Sequence, residues 1–306
     1  MNTDNIYYKQ VQLLVQLIPL IATENCFALK GGTAINLFVR NIPRLSVDID
    51  LVYLPMHDRQ QALKNIRDAL SRISELILKV IPQAKVLNAH EHSDALRLIV
   101  QRQNVRVKIE LSPVIRGTVF GERTMRVSSK VEETFGYAEI PIVSLPDLYA
   151  GKICAALDRQ HPRDLFDVKF LFDNEGFTTD LRKTFLIYLI SHQRPMVELL
   201  RPNIKNISSV YENEFVRMAN VEVSLNELER TREHLIHIIN QTMTPDEKKF
   251  LLSFKSKNPD WSLLGVENIN EVSNLPSVRW KQENLHQMPE KKHSAAFAKL
   301  KEVLTL

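Results

Sequence analysis

The chain has 306 residues, 44% hydrophobic and 25% charged, with a formal net charge of +4 and a pI near 8.9. That is enough chain for two domains and an ordinary balance for a globular protein in water. No run of 18 apolar residues is present, which excludes a membrane-spanning helix, and the polar start MNTDNIYYKQ lacks the charged-then-apolar pattern of a secretory leader.

The two cysteines, Cys26 and Cys154, stand in apolar surroundings. They read as small buried hydrophobes of a reducing cytoplasm, not as a disulfide framework. The mild basicity permits a nucleic-acid partner without requiring one.

In chain order, residues 6–22 carry apolar side chains at helical spacing, with Pro19 near the end. Residues 26–30 read as a short buried strand that turns at Gly31-Gly32, and Thr33 to Val39 as a short helix. After a loop holding Pro43, Val47 to Tyr53 is a β-branched strand. Asp58 to Val80 is a helix, with Ala62, Ile66, Ala69, Leu70, Ile73, Leu76 and Ile77 on one stripe. Three strands follow at 84–89, 95–101 and 105–114, the last two joined by a hairpin turn. Residues 116–138 read as irregular with one edge strand.

From Pro146 the pattern is almost wholly helical: 148–157, 163–172, 181–191, 210–219, 225–240 and 246–254. A weaker tail ends in a helix at 295–304. The expected fold class is α+β, with a mixed-sheet domain at 1–145 and a mainly helical domain at 146–306.

Four features carry chemistry. In a strand, alternate residues face one side, so Val47, Ile49 and Leu51 face a core while Asp48 and Asp50 lie side by side on the other face. Adjacent carboxylates repel unless a cation sits between them, and Mg²⁺ takes one or two carboxylates plus substrate phosphates. The plainer alternative is a solvated strand face. Gly31-Gly32-Thr33 either lets the backbone approach a phosphate at a helix N-terminus or is an ordinary turn with Thr33 as N-cap. Glu110 shares the Asp side of its strand with Arg106 and Lys108. It is either a third metal-binding carboxylate or the partner of a cross-strand Lys or Arg. Lys152, in an apolar helix, either snorkels or meets an anion such as a triphosphate. Asp164 and Asp167, three apart, share a helical face; either is a candidate catalytic carboxylate, and helix-start acidity is the plainer explanation of Asp164. His90 and His92 form an H-x-H with no further ligand at metal spacing, and read as loop histidines.

Together, GGTAINLF, RLSVDIDL, a strand ending in KIE, and KICAALDR followed by RDLFDV resemble the AbiEii/AbiGii toxin family, within the DNA polymerase β-like nucleotidyltransferases. These motifs lie within residues 25–175. The resemblance implies a nucleotidyltransferase-type domain followed by a helical domain that contributes Lys152 and Asp164. It implies the toxin half of a bacterial toxin–antitoxin and phage abortive-infection system. Gly31, Gly32 and Thr33 would hold the nucleotide phosphates, with Ser46 in the second motif and Arg44 within reach of a phosphate. Asp48 and Asp50 would bind Mg²⁺, Lys152 would contact the triphosphate, and Asp164, with Asp167 competing, would be catalytic. The implied reaction moves an NMP from an NTP to an RNA acceptor, the 3′ end of tRNA, with loss of pyrophosphate, in the cytoplasm and under control of a cognate antitoxin. A small-molecule or protein acceptor, and a non-catalytic partner-binding protein, are the competing readings.

Overall fold

The computed structural model describes residues 5–88 and 96–304. His90 and His92 lie outside them, as do the ends of two expected strands at residues 89 and 95. The chain divides into two compact units: residues 1–144 with Val216–Glu222, and 145–215 with 223–306.

Among the described residues, the first unit is built on seven strands: β1 (Phe27–Lys30), β2 (Asp48–Tyr53), β3 (Lys85–Asn88), β4 (Leu96–Arg102), β5 (Val105–Leu111), β6 (Glu122–Arg126) and β7 (Glu139–Val143). Their order in one mixed sheet is β3-β4-β5-β2-β1-β7-β6. β2 runs parallel to β5 and β1 parallel to β7; the other neighbours are antiparallel. The periodicity of two is obeyed: Ile49 and Leu51 on β2, Leu98 and Val100 on β4, and Val107 and Ile109 on β5 are all buried. They pack against α1 (Ile6–Ile21) and α3 (Arg59–Val80). Each such side chain contributes about 1.5–3 kcal/mol by leaving water. Asp58 caps α3 by accepting from the Gln61 N–H.

Between β1 and β2 the helix begins at Gly31, earlier than expected. A single α-turn, α2 (Gly31–Thr33), widens into a π-helix over Ala34–Val39. The chain then crosses Ile42 at φ +52°, a strained value for a β-branched residue. Residues 116–138, expected to be irregular, hold the edge strand β6 and also a helix, α4 (Ser129–Phe135).

The second unit is helical: α5 (Leu145–Asp158), α6 (Pro162–Asn174), α7 (Thr179–Ser191), α8 (Met196–Leu200), α9 (Ser208–Val210), α10 (Leu225–Thr242), α11 (Pro245–Lys255), α12 (Ile269–Ser273), α13 (Pro276–His286) and α14 (Glu290–Leu304). Reciprocal capping boxes, Ser224 with Glu227 and Thr244 with Glu247, start α10 and α11. Phe166, Phe185, Phe250 and Phe254 anchor the interior.

The helix expected over 210–219 is broken. A π-turn at Tyr211–Phe215 gives way to a 3₁₀-turn at Val216–Met218, and the chain then joins the sheet-bearing unit. There the Leu45 N–H donates to the Met218 carbonyl at 2.7 Å. The Asn220 and Val221 N–H groups donate to the Pro43 carbonyl at 2.9 and 3.0 Å. Long-range backbone pairing outcompetes local helix propensity, so residues 216–222 leave the helical half to which their sequence position assigned them.

Candidate functional site

In the sheet-bearing unit, the two glycines make room for the site's own side chains. Gly31 has φ +74°, and a Cβ there would lie 2.5 Å from Asp50 Oδ2. A Cβ on Gly32 would lie 2.8 Å from Arg44 Nη2 and 2.9 Å from Ser46 Oγ. The turn, the buried arginine, the serine and one aspartate therefore occupy a single neighbourhood.

Thr33 is not the N-cap. Lys30 holds that position, and no side chain caps the turn. The Thr33 hydroxyl is buried, donates to the Asp48 carbonyl at 2.5 Å and lies 3.1 Å from Ser46 Oγ, which ties the turn to the acidic strand. Arg44 is 2% exposed and donates to the Leu45 carbonyl at 3.0 Å.

Asp48 and Asp50 sit on the face of β2 opposite Ile49 and Leu51, both half-buried. Cα pairing sets Asp50 between Lys30 on β1 and Glu110 on β5. Lys30 is the residue that sequence reasoning passed over. Burial pulls its ammonium below the usual lysine range, while the Asp50 and Glu110 charges oppose that shift without hydrogen-bonding it. The signal was visible as a lone charge ending the apolar FALK strand, next to Gly-Gly.

Two hard carboxylate oxygen donors side by side fit a divalent cation such as Mg²⁺, with substrate phosphates as further ligands. Among the described residues, no three His, Cys, Asp or Glu side chains gather to hold a metal. Glu110 pairs with Lys108, two positions earlier on its own strand, at 2.9 Å; this basic partner is not the cross-strand one expected. That bond, with the Asp48, Glu110 and Asp50 charges, raises the Lys108 ammonium against the lowering effect of burial.

The helical unit holds the other candidates. Lys152 is 7% exposed and neither snorkels nor stands alone: its Nζ lies 2.8 Å from Asp164 Oδ1 and 3.0 Å from Asp167 Oδ2. Arg159 adds two hydrogen bonds to Asp164, Nε to Oδ2 at 2.5 Å and Nη2 to Oδ1 at 2.9 Å. Burial alone would raise the Asp164 carboxyl, but Lys152 and Arg159 hold it far below the usual carboxylate range. Both aspartates therefore serve one lysine, as their shared helical face allows. Asp147, buried in the first turn of α5, accepts from the Tyr188 hydroxyl at 3.1 Å. Burial and that carboxylate push the Tyr188 phenol well up. Sequence reasoning singled out neither residue. Cys154 is buried with its thiol raised; Cys26 is only half-buried, its thiol raised by burial to about 11, so neither is a ready nucleophile.

Residues 12–284 match the family described as "Nucleotidyl transferase AbiEii toxin, Type IV TA system". The chain belongs to the AbiEii nucleotidyltransferase toxin family. No curated protein matches it. Among solved structures it is similar to MenT4, a nucleotidyltransferase toxin from Mycobacterium tuberculosis H37Rv. That likeness has a TM-score of 0.61 and 14% identity, and covers 89% of this chain and 93% of that one. At that identity the likeness concerns the fold: a mixed sheet with many helices, as in a nucleotidyltransferase toxin. AbiEii membership makes this chain a toxin-class nucleotidyltransferase of a toxin–antitoxin pair. Among the described residues, no helix is long and apolar enough to cross a membrane.

Proposed function

We propose that this AbiEii-family toxin moves a nucleoside monophosphate from an NTP to an RNA hydroxyl, releasing pyrophosphate, with the 3′ end of tRNA as acceptor. One observation carries the reading: Asp48 and Asp50 share a face, and Asp50 fills the space above the Gly31 turn. That arrangement sets a carboxylate pair beside a backbone that a phosphate can approach closely.

Bound by Asp48 and Asp50, Mg²⁺ would neutralise triphosphate charge and lower the pKa of the attacking hydroxyl. The chain's own residues supply positioning and charge, which is most of what phosphoryl-group transfer demands. The Gly31-Gly32 backbone and Arg44 receive phosphate oxygens, with Ser46 and Thr33 holding the turn against β2. Lys30 offsets negative charge beside Asp50. Lys152 and Asp164 are needed for full transfer. Asp164, kept ionised by two cations, orients Lys152 and does not accept a proton. A tRNA acceptor places the activity in the cytoplasm, with a cognate antitoxin as partner.

Incubating the protein with α-labelled NTPs, Mg²⁺ and total RNA tests this directly. Label in the tRNA fraction with wild type, and none with Asp48→Ala, is the expected result. Label on protein or a small molecule would replace the acceptor. Growth arrest that survives Asp48→Ala would remove chemistry as the mode of action.

A further inference from the structure

The acidic pair occupies one end of a larger open face whose composition follows from register. Cα partners across a sheet point their side chains to the same side. The row through Asp50 reads Lys30, Asp50, Glu110, Arg97. The next reads Asp48, Lys108, Ile99, Leu87, and the last Arg106, Gln101, Lys85. Among the described residues, the β3–β5 half of this face thus carries Lys85, Arg97, Arg106 and Lys108 against one acid, Glu110, which pairs with Lys108.

The opposite face is packed on helices; on this one Lys85, Leu87 and Arg106 meet solvent, while Arg97, Ile99 and Gln101 are half-buried. Lys85 and Arg106 are exposed, Leu87 is 49% exposed, and the Lys108 side chain is 38% exposed. Among the described residues neither Lys85 nor Arg106 has a carboxylate partner. Arg106 Nε is held by Gln101 Oε1 at 3.1 Å, which sets its guanidinium along the face. Arg97 Nε is buried with no hydrogen-bond partner, one of the few such polar atoms among the described residues. Several basic residues of the helical unit differ in this respect: Arg159 is bound to Asp164, Lys169 to Asp173 and Lys249 to Asp246.

We propose that this half of the sheet face is the track for the acceptor strand, a single-stranded RNA 3′ segment leading to Asp48 and Asp50. Its phosphates lie on Lys85, Arg106 and Arg97, and its sugars and bases rest on Ile99 and Leu87. Three strand spacings separate Asp48 from Leu87, about 14 Å. A sheet face is a platform for single strands, whose bases are free to splay out. The face carries no aromatic ring on these rows, so binding is carried by phosphate and is indifferent to sequence. The inference rests on the RNA-acceptor reading above.

The test uses the whole chain and a fluorescein-labelled single-stranded RNA of about twelve nucleotides, within the usual site sizes for such grooves. Anisotropy is followed across a salt series for wild type, for Lys85→Glu with Arg106→Glu, and for a charge-matched control, Lys291→Glu with Lys299→Glu, on exposed positions of α14. The face variant is expected to bind at least about ten-fold more weakly, with the log–log salt slope reduced by about 1.4, the release expected for two lost phosphate contacts on a single strand. Binding of a fluorescent NTP analogue stays at the wild-type value. If wild type labels and binds RNA while the face variant binds as wild type does, or the control loses as much, the track is wrong and the RNA reading stands. If wild type labels no RNA, both fall together.

Discussion

Two groups of charges on this chain obey opposite rules. On β2 the carboxylates are half-buried on an open face, next to a lysine that does not hydrogen-bond them. In the helical unit, Lys152, Arg159, Asp164 and Asp167 neutralise one another, with both carboxylates out of water. A charge that is fully satisfied by its neighbours has little left for a ligand, and one buried without partners is very unstable. The first arrangement sets two half-buried carboxylates beside the glycine turn; the second fixes the position of one lysine.

Substitutions can break this contrast. The largest effect is expected at the open pair. Asp48→Asn or Asp50→Asn should lower nucleotide transfer by about 10³-fold or more, the scale of removing a group aimed at developing charge. Chemical unfolding should move by no more than about 1 kcal/mol. A loss of several kcal/mol would show that these side chains are structural after all. Asp164→Asn should lower transfer and stability together, removing about 3–5 kcal/mol in urea titrations by taking one of the two carboxylates from the buried Lys152, which keeps only Asp167. Adding Lys152→Met should then cost less than the sum of the single changes, because the two residues share one interaction.

Acid sharpens the same point. The Asp164 carboxyl is depressed in the fold relative to its ordinary 3.8. Its contribution is therefore complete above that value and is lost as pH falls through the lower folded one. Acid titration of the wild type should show this limb, and Asp164→Asn should flatten it. Gly31→Ala should cost about 1–2 kcal/mol for the left-handed backbone, and should reduce transfer by more than that loss explains, because the new methyl displaces Asp50. Tyr188→Phe, which removes one donor from Asp147, should be the smallest change, about 1 kcal/mol by thermal unfolding.

How far the sequence could be read depended on the range of each interaction. The facing of Asp48 and Asp50 was legible because period-two burial is local, and the helix over 59–80 because its stripe repeats for six turns. The pairing of Asp164 and Asp167 on one helical side was legible for the same reason. The need for the glycines was only half legible: a close approach was expected, but its occupants, Arg44, Ser46 and Asp50, come from 12 to 19 positions downstream. Lys30 was missed because its significance lies in strands β2 and β5, which pair with or near it only in the folded sheet. Residues 216–222 were placed in the helical half, 216–219 of them in a helix, because a helical pattern says nothing about a carbonyl at Pro43 that will capture the segment.

That capture bears on how the protein comes off the ribosome. The loop carrying Ile42 in its strained conformation, with Arg44 and Ser46 just beyond, receives backbone hydrogen bonds from residues made some 175 positions later. Synthesis proceeds at roughly 5–20 residues per second. The nascent sheet therefore waits many seconds for its last clasp, and a chain stalled or cleaved before residue 216 holds both aspartates yet lacks the segment that pins the loop leading to them. Premature termination would disarm the product without touching an active-site codon.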